Sequence, residues 1–235
     1  MAKSLRVIPE GTRLDGTSLI AGFHGIGATG YWTVKFLITE LKAQRKCFID
    51  YEYAPAVASQ AEGRISTPYE VFSAGPLSLL KAEVSPVRER ESEFYRQLAD
   101  WIMGSGVKEV ALVGGLDEAL KNDDSRYKVA LTSSFASLGG LPGEPIFDED
   151  RMIVGPVASL LNIFEMHSFP ALAVLAYSNT ERVDPRAAAS AVEFLSKRYG
   201  FTANTTPLIK GAEVIEGELK MLEEKEKRPG GSVYS

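Results

Sequence analysis

Short apolar segments alternate with helical patterns along most of this chain, and this alternation constrains its fold more than any other feature. Residues 17–23, 107–115 and 171–178 are nearly continuous apolar runs of strand length. Such runs are typical of strands that are covered on both faces of a sheet. Because helical patterns lie between them, the sequence predicts an α/β fold, a three-layer α/β/α sandwich.

The other elements are predicted from the same periodicity and from turn residues. In chain order they are a helix at 31–41, a strand at 46–53, two strands or a hairpin across 64–84 broken at Gly75-Pro76, a strand at 128–135, a loop at 139–155 that ends in a short strand, and a helix at 157–167. Ser85-Pro86 is interpreted as an N-cap followed by proline at the first helical position, and this helix is predicted to end at Gly104. Asp184-Pro185 predicts a second helix of this kind, which ends at Gly200.

The domain organisation is predicted to be one α/β domain, residues 1–227, followed by a tail. A C-terminal helix is expected at about 207–227, where apolar residues recur at spacings of four and three and form a narrow seam suited to docking. The segment Arg228-Pro229-Gly230-Gly231 is typical of a linker. Residues 228–235 are therefore predicted to be a flexible tail.

Composition limits the classes of partner. The 235-residue chain has a net charge of −5, which argues against nucleic acid because phosphate binding needs a basic surface. We expect no membrane partner, since no apolar run approaches the roughly 20 residues that span a bilayer. The N-terminus shows no secretory signal and the chain has a single cysteine, so a cytoplasmic location is expected.

A glycine-rich turn between the first buried strand and its helix supplies one functional hypothesis. Gly25, Gly27 and Gly30 fit the G-x-G-x-x-G pattern of dinucleotide-binding proteins, and Asp50 lies near the end of the next strand. His24 precedes the glycines and could act as an acid or base. This hypothesis is a nucleotide- or nucleoside-binding enzyme; the structural alternative is that a sharp strand-to-helix turn needs small residues.

The remaining candidate residues do not form a catalytic set, and we expect no cofactor and no metal. Cys47 is interpreted as a small buried hydrophobe, and His167 as the C-terminal cap of a helix. The acidic run 148–150 could hold a cation but is more typical of a solvated loop. The charged run 88–91 is predicted to be an exposed helix face.

Four segments in order resemble one family. They are LIAGFHGIGATG (19–30), GGLPGEPIFDEDRMIVGPVASLL (139–161), ALAVLAYS followed by VDPRAAASAVEFLSKRYG (171–200), and LIKGAEVIEGELKMLEE (208–224). Together they resemble the proteasome assembly chaperones and their archaeal relatives over roughly residues 17–225. His24 departs from the pattern, because the family more usually has proline there.

This resemblance implies a fold similar to that of purine nucleoside phosphorylases, without their activity. It also implies homo-oligomers, tetramers or pentamers, that bind α subunits of the core (20S) proteasome. Relatives bind through a C-terminal hydrophobic–Tyr–X motif, which Val233, Tyr234 and Ser235 match residue by residue. The resemblance thus implies a non-enzymatic protein, an assembly chaperone or an ATP-independent activator.

The chemistry of the predicted tail agrees with this role. Burial of the Val233 and Tyr234 side chains would contribute roughly 1.5–3 kcal/mol each. Ordering the flexible backbone costs about 1–2 kcal/mol per residue, so one tail should bind weakly. Several tails on one oligomer would bind more tightly, because each raises the effective concentration of the next.

Overall fold

The computed structural model describes residues 4–61 and 63–212. Its ten strands are β1 (Leu5–Ile8), β2 (Ser18–Gly22), β3 (Gln44–Tyr51), β4 (Ser59–Ala61), β5 (Arg64–Ser66), β6 (Tyr69–Ala74), β7 (Leu77–Ala82), β8 (Glu109–Asp117), β9 (Tyr127–Leu131) and β10 (Ala171–Ser178). Its α-helices are α1 (Thr29–Glu40), α2 (Glu91–Gly104), α3 (Ser133–Ser137), α4 (Gly155–Met166), α5 (Pro185–Tyr199) and a further segment at 206–212. These counts refer to the described residues alone.

Eight strands form one mixed sheet in the order β1-β3-β6-β7-β2-β8-β10-β9. The central strands β7, β2, β8 and β10 are parallel, whereas β6, β3, β1 and β9 add antiparallel pairs at the two sides. Strands β4 and β5 form a separate two-stranded hairpin. From β2 the chain passes through α1 to β3 on one side of the sheet, and from β8 it passes to β9 and β10 on the other side, so the connections diverge at the carboxyl ends of β2 and β8.

Helices cover both faces of the sheet, which confirms the predicted three-layer α/β/α architecture. Alternate residues of β2 point into different cores: Leu19 lies with Phe94 of α2 and Phe164 of α4. Ile20 lies in the other cluster, which includes Leu37 of α1. Burial on both faces explains why the central strands are continuous apolar runs.

The helix predicted from Asp184-Pro185 is confirmed at both ends. The Asp184 carboxylate caps α5 by accepting hydrogen bonds from the amides of Arg186 and Ala187 at 3.0 and 3.1 Å. Gly200 follows the helix with φ of 71°, the left-handed conformation that glycine adopts at little cost.

Three predicted boundaries were wrong. The helix expected to begin at Ser85-Pro86 begins later, because Val87 is extended (φ −62°, ψ 137°) and a 3₁₀ turn precedes α2. The strand expected at 128–135 ends at Leu131, because the Thr132 hydroxyl accepts from the Phe135 amide and caps α3. The loop 139–155 does not end in a strand; Ile146 makes one isolated bridge to Val129.

Some of the remaining elements were predicted and others were not. The hairpin around Gly75-Pro76 is confirmed as β6 and β7, but β1 and the β4–β5 hairpin were not predicted. Residues 206–212 are helical, and the rest of the predicted C-terminal helix and tail lies outside the described residues. Within 4–61 and 63–212, no helix has the length and apolar character needed to cross a bilayer.

Candidate functional site

The predicted tail residues Val233, Tyr234 and Ser235 lie outside the described residues. The structure therefore bears on the second hypothesis, the turn formed by Gly25, Gly27 and Gly30 after β2. This turn consists of a 3₁₀ turn, Ile26–Ala28, which leads directly into α1.

Internal packing accounts for two of the three glycines of the turn. Gly27 has φ of 58°, and a Cβ built on it would lie 1.8 Å from the Ser178 hydroxyl oxygen. A Cβ on Gly30 would lie 2.3 Å from the carbonyl oxygen of Val113 in β8. Around Gly25, by contrast, no atom lies within 4 Å of such a Cβ. Gly27 and Gly30 are thus required by the approach of α1 to β8 and β10, whether or not a ligand binds.

Hydrogen bonds fix the turn to the junction of β10 and α5. The Asp184 amide donates to the Gly27 carbonyl at 2.9 Å, and the Thr29 hydroxyl donates to the Ser178 hydroxyl at 3.2 Å. Thr29 and Gly30, the first residues of α1, are buried. Binding of a pyrophosphate needs an accessible helix N-terminus, whereas this one is packed inside the protein.

Asp50 does not lie near the turn. It is on β3, which is separated from β2 by β6 and β7, a distance of about 14 Å at the usual strand spacing. Its carboxylate accepts a hydrogen bond from the Arg6 guanidinium on β1 at 2.6 Å. The acidic residue of the dinucleotide pattern is therefore not brought to the glycines.

His24 is held against the side of α1. Its ring stacks on the Tyr31 ring with centroids 4.3 Å apart, and its Nε2 is buried without a hydrogen-bond partner. Burial lowers the pKa of His24 below its ordinary value, so the imidazole is neutral at physiological pH. Among the hydrogen bonds of the described residues, none joins His24 to a serine, threonine or cysteine side chain, so no activated nucleophile is formed there.

A cavity of about 380 Å³ lies beside the turn, at the carboxyl ends of β2 and β8. Its walls are mostly apolar, and its mouth is bordered by Met152 and Val154, which are 86% and 71% exposed. The Asp117 carboxylate at its edge already accepts a hydrogen bond from the Ala119 amide at 2.9 Å. Diverging connections place ligand crevices at this position in α/β sheets, and the wall chemistry here suits apolar groups.

The other candidate residues have structural surroundings. Cys47 is buried, and burial raises the pKa of its thiol to about 11, so the nucleophilic thiolate is scarce. His167 is the C-terminal cap of α4, as predicted. Asp148 of the acidic run lies near Lys128 and Arg151, at 3.7 and 3.4 Å.

In the described part of the chain, no group of three His, Cys, Asp or Glu side chains is placed to hold a metal ion. Residues 88–90 of the charged run are exposed, as predicted, on the 3₁₀ turn before α2.

Sequence reasoning missed a buried cluster of charged residues on the β6–β7 hairpin. Glu70 and Lys81 face each other across the two strands, are 1% and 5% exposed, and form an ion pair at 3.0 Å. Lys81 also pairs with Glu83 at 2.9 Å, and Arg45 of β3 with Glu70 at 3.0 Å. We call these four residues the buried charge cluster.

Tyr31 connects the buried charge cluster to His24. Its hydroxyl donates to Glu83 at 2.8 Å and accepts from Lys35 at 3.1 Å. Burial raises the pKa of the Glu83 carboxyl, but the hydrogen bonds from Lys81 and Tyr31 outweigh it, so the pKa lies below its usual value. Glu83 is thus kept ionised between a lysine and a phenol.

Comparison with known proteins identifies the family of this chain. The model of the PAC2 family matches residues 19–223, which include nearly all of the sheet and its helices. The chain belongs to the PAC2 family. This confirms the resemblance to proteasome assembly chaperones and their relatives found from the sequence.

Solved structures share the fold of this PAC2-family chain. The match to Pyrococcus furiosus PbaA, an archaeal homolog of proteasome-assembly chaperone, has a TM-score of 0.79 and 22% identity over 96% of this chain and 94% of that one. For Pyrococcus furiosus PbaB, an archaeal proteasome activator, the TM-score is 0.74 and the identity 21%, over 94% of this chain and 100% of that one. A PAC2 family protein from Streptomyces avermitilis has a TM-score of 0.65 and 18% identity, over 88% of this chain and 95% of that one. No curated protein matches the sequence.

Proposed function

We propose that this chain binds the core proteasome and acts in its assembly or activation, as a non-enzymatic protein in the cytoplasm. Its membership of the PAC2 family over residues 19–223 carries this proposal. Two proteins of the same fold support it: PbaA is described as a homolog of proteasome-assembly chaperone, and PbaB as a proteasome activator. The two roles use a common partner and differ in whether the bound particle is still being assembled.

The contact is proposed to be made by Val233, Tyr234 and Ser235 with α subunits of the proteasome. The match of these residues to the hydrophobic–Tyr–X motif supports this part of the proposal. A homo-oligomer, a tetramer or pentamer, would present several tails at once, and multivalency would offset the weak binding of each.

The alternative, a nucleotide- or nucleoside-binding enzyme that uses His24 and the glycine turn, has less support. Gly27 and Gly30 are explained by internal packing, and the start of α1 is buried. The alternative predicts that NAD, ATP or a nucleoside with phosphate raises the melting temperature, since a ligand of the native state stabilises it.

Binding to purified archaeal core proteasome on a biosensor tests the proposed function. We expect the full chain to bind and Tyr234→Ala to lose at least about tenfold in affinity, because a buried aromatic anchor is worth at least about 1.4 kcal/mol. The matched control is Ser232→Ala, which changes the same segment outside the motif and should bind as the full chain does. Light scattering on all three proteins gives the oligomeric state.

The outcomes separate the parts of the proposal. Equal binding by Tyr234→Ala and the full chain would contradict the proposed role of the tail but would leave the proteasome as the partner. Absence of binding by every variant would contradict the proposed function itself. Rings of α subunits prepared without β subunits test the α-subunit contact, and peptide hydrolysis by the mature particle distinguishes an activator from a chaperone.

A further inference from the structure

The apolar cavity beside the glycine turn has no part in the proposed tail contact. Its described lining residues are 23–26, 113–117, 120, 147, 152–157 and 175. Apart from His24 and Asp117, all of them are apolar residues or glycines. The volume of about 380 Å³ lies at the lower end of the roughly 300–1,000 Å³ that is typical of small-molecule sites. The cavity thus has the position, the wall chemistry and the size of a site for a small apolar molecule.

Gly25 is the glycine of the turn that neither packing nor backbone conformation explains. Its φ of −170° is extended backbone that any residue can adopt, and a Cβ built on it would meet no atom within 4 Å. Gly25 is exposed and lines the cavity. Glycine at such a position lets a bound molecule approach the backbone closely. The space beside Gly25 is therefore available to a ligand.

Two loops border the mouth of the cavity and are joined to each other. Leu120 lies on one loop and Met152 on the other, and both are exposed. The Arg151 guanidinium donates to the Leu120 carbonyl, and the Asn122 amide donates to the Asp148 carboxylate at 3.3 Å. These contacts hold the mouth in a defined shape. A molecule that enters it removes exposed apolar side chains from water, which favours binding.

Asp117 supplies a polar group at the edge of the cavity. Among the lining residues that the structure describes, it is the one with a charged side chain, since His24 is neutral. One Asp117 oxygen accepts from the Ala119 amide at 2.9 Å, and a carboxylate can accept several hydrogen bonds. An O–H or N–H of a ligand therefore has an acceptor here. A carboxylate or phosphate would instead lose its hydration next to apolar walls and a like charge.

A second cavity, of about 390 Å³, has different surroundings. It lies between α1, the strands β3, β6 and β7, and the β4–β5 hairpin, and the buried charge cluster lines it. The residues of that cluster pair with one another, so internal ion pairs account for them. The free space at Gly25 and the exposed apolar mouth have no such internal explanation.

We propose that the cavity beside the glycine turn binds a small, mainly apolar molecule that carries an O–H or N–H donor and no negative charge. The apolar body lies against the Gly25 backbone and between Leu120 and Met152, and the donor reaches the Asp117 carboxylate. This class of ligand differs from the phosphate-bearing nucleotides of the dinucleotide pattern. The proposal is independent of the proteasome, since it rests on the residues around this cavity alone.

Isothermal titration of the full chain with two matched sets of probes tests the proposal. Tryptophol, tryptamine and indole-3-acetate share an indole body and differ in a hydroxyl, an ammonium and a carboxylate. Hexanol, hexylamine and hexanoate make the same comparison on an aliphatic body. We expect saturable one-to-one binding of the hydroxyl and ammonium members of at least one set. The carboxylate member should bind at least about tenfold more weakly, because its charge loses hydration without a cation to replace the water.

Three variants locate the binding. Gly25→Leu fills the free space and should weaken binding at least about tenfold. Gly104→Leu is the matched control and should bind as the full chain does: Gly104 is also exposed, its Cβ would also meet no atom within 4 Å, and it does not line this cavity. Asp117→Asn keeps an oxygen for the Ala119 amide but removes the charge, so it should weaken binding of the ammonium probe more than that of the hydroxyl probe. Urea denaturation establishes that each variant is folded.

The outcomes that overturn the proposal are distinct. It is wrong if no hydroxyl or ammonium probe binds, if Gly25→Leu and Gly104→Leu bind equally, or if the carboxylates bind as tightly as the alcohols. Probe binding that falls as the protein concentration rises would show that a second copy of the chain covers the mouth, and this would also contradict the proposal.

Discussion

The two cavities are nearly equal in volume, about 380 and 390 Å³, but their walls are built in opposite ways. The cavity beside the glycine turn has mostly apolar walls, and the turn next to it is packed closely against Ser178 at Gly27 and against the β8 backbone at Gly30. The cavity beneath the β4–β5 hairpin has charged walls, whose shape depends on the buried charge cluster. The surroundings of the two cavities are thus held by different interactions, steric contact at one and ion pairing at the other. Single substitutions can disrupt either interaction without the other.

The largest effect is expected from the charged walls. Glu70→Gln removes the carboxylate that pairs with Lys81 and Arg45, and leaves buried positive charge with fewer partners. We expect it to lower the free energy of unfolding by about 3 kcal/mol, as measured by urea denaturation.

Asp50→Asn is the matched control, since it breaks the exposed Arg6–Asp50 pair by the same chemical change. Exposed pairs contribute about 0–1 kcal/mol, so the control should be nearly as stable as the full chain. Similar losses in both variants would show that the buried charge cluster does not support this part of the fold.

A slightly smaller effect is expected at the apolar cavity. Gly27→Ala places a Cβ against Ser178 and forces a left-handed conformation on alanine, at a combined cost of about 2–3 kcal/mol in unfolding free energy. Gly25→Ala, where the Cβ meets open space, should change it by less than about 0.5 kcal/mol. Equal stability of the two variants in urea would contradict the packing explanation of the turn.

The smallest effect concerns His24, which lines the apolar cavity and is linked through Tyr31 to the charged one. Its pKa is lowered in the folded state, so the unfolded chain binds more protons near its ordinary value of 6.5. Stability from this group is complete above that value and is lost as the pH falls below it. His24→Gln should therefore reduce the loss of unfolding free energy between pH 7.5 and 5.5, as measured by urea denaturation at the two pH values.

Glu83 serves as the internal comparison in this titration. Its pKa is also lowered, but for a carboxyl the stabilisation is present above the ordinary value of 4.5 and is lost only below it. The interval from pH 7.5 to 5.5 therefore isolates the histidine. An unchanged pH dependence in His24→Gln would show that the stacked imidazole is not held neutral.

Much of the fold follows from the sequence because burial on two faces leaves a continuous apolar run. The strand predicted at 171–178 matches β10 residue for residue, and the Asp184 and Gly200 caps fix both ends of α5. The short exposed strands β1, β4 and β5 lack this signal. Likewise, Thr132 can continue a strand or cap a helix, and only the packing of Phe135 decides between them.

The candidate sites were less predictable, for two physical reasons. A glycine needed for close packing and a glycine needed for a ligand look the same in sequence. Gly27 and Gly30 were therefore compatible with both a nucleotide site and a tightly packed turn. The buried charge cluster did leave a signal: charges at Glu70 and Lys81 interrupt apolar strands at positions that a hairpin centred on Gly75-Pro76 pairs directly. Val233, Tyr234 and Ser235 remain a prediction, because they lie outside the described residues.

The central position of β2 also has a consequence for the order of events during synthesis. Its hydrogen-bonding partners, β7 and β8, begin at Leu77 and Glu109, whereas β2 itself is complete at Gly22. A growing chain therefore carries an unpaired, largely apolar strand until more than fifty further residues have been made. Such late pairing slows folding and exposes a strand edge to other chains. A chain of this topology is therefore most exposed to aggregation during synthesis, before β7 and β8 have been made.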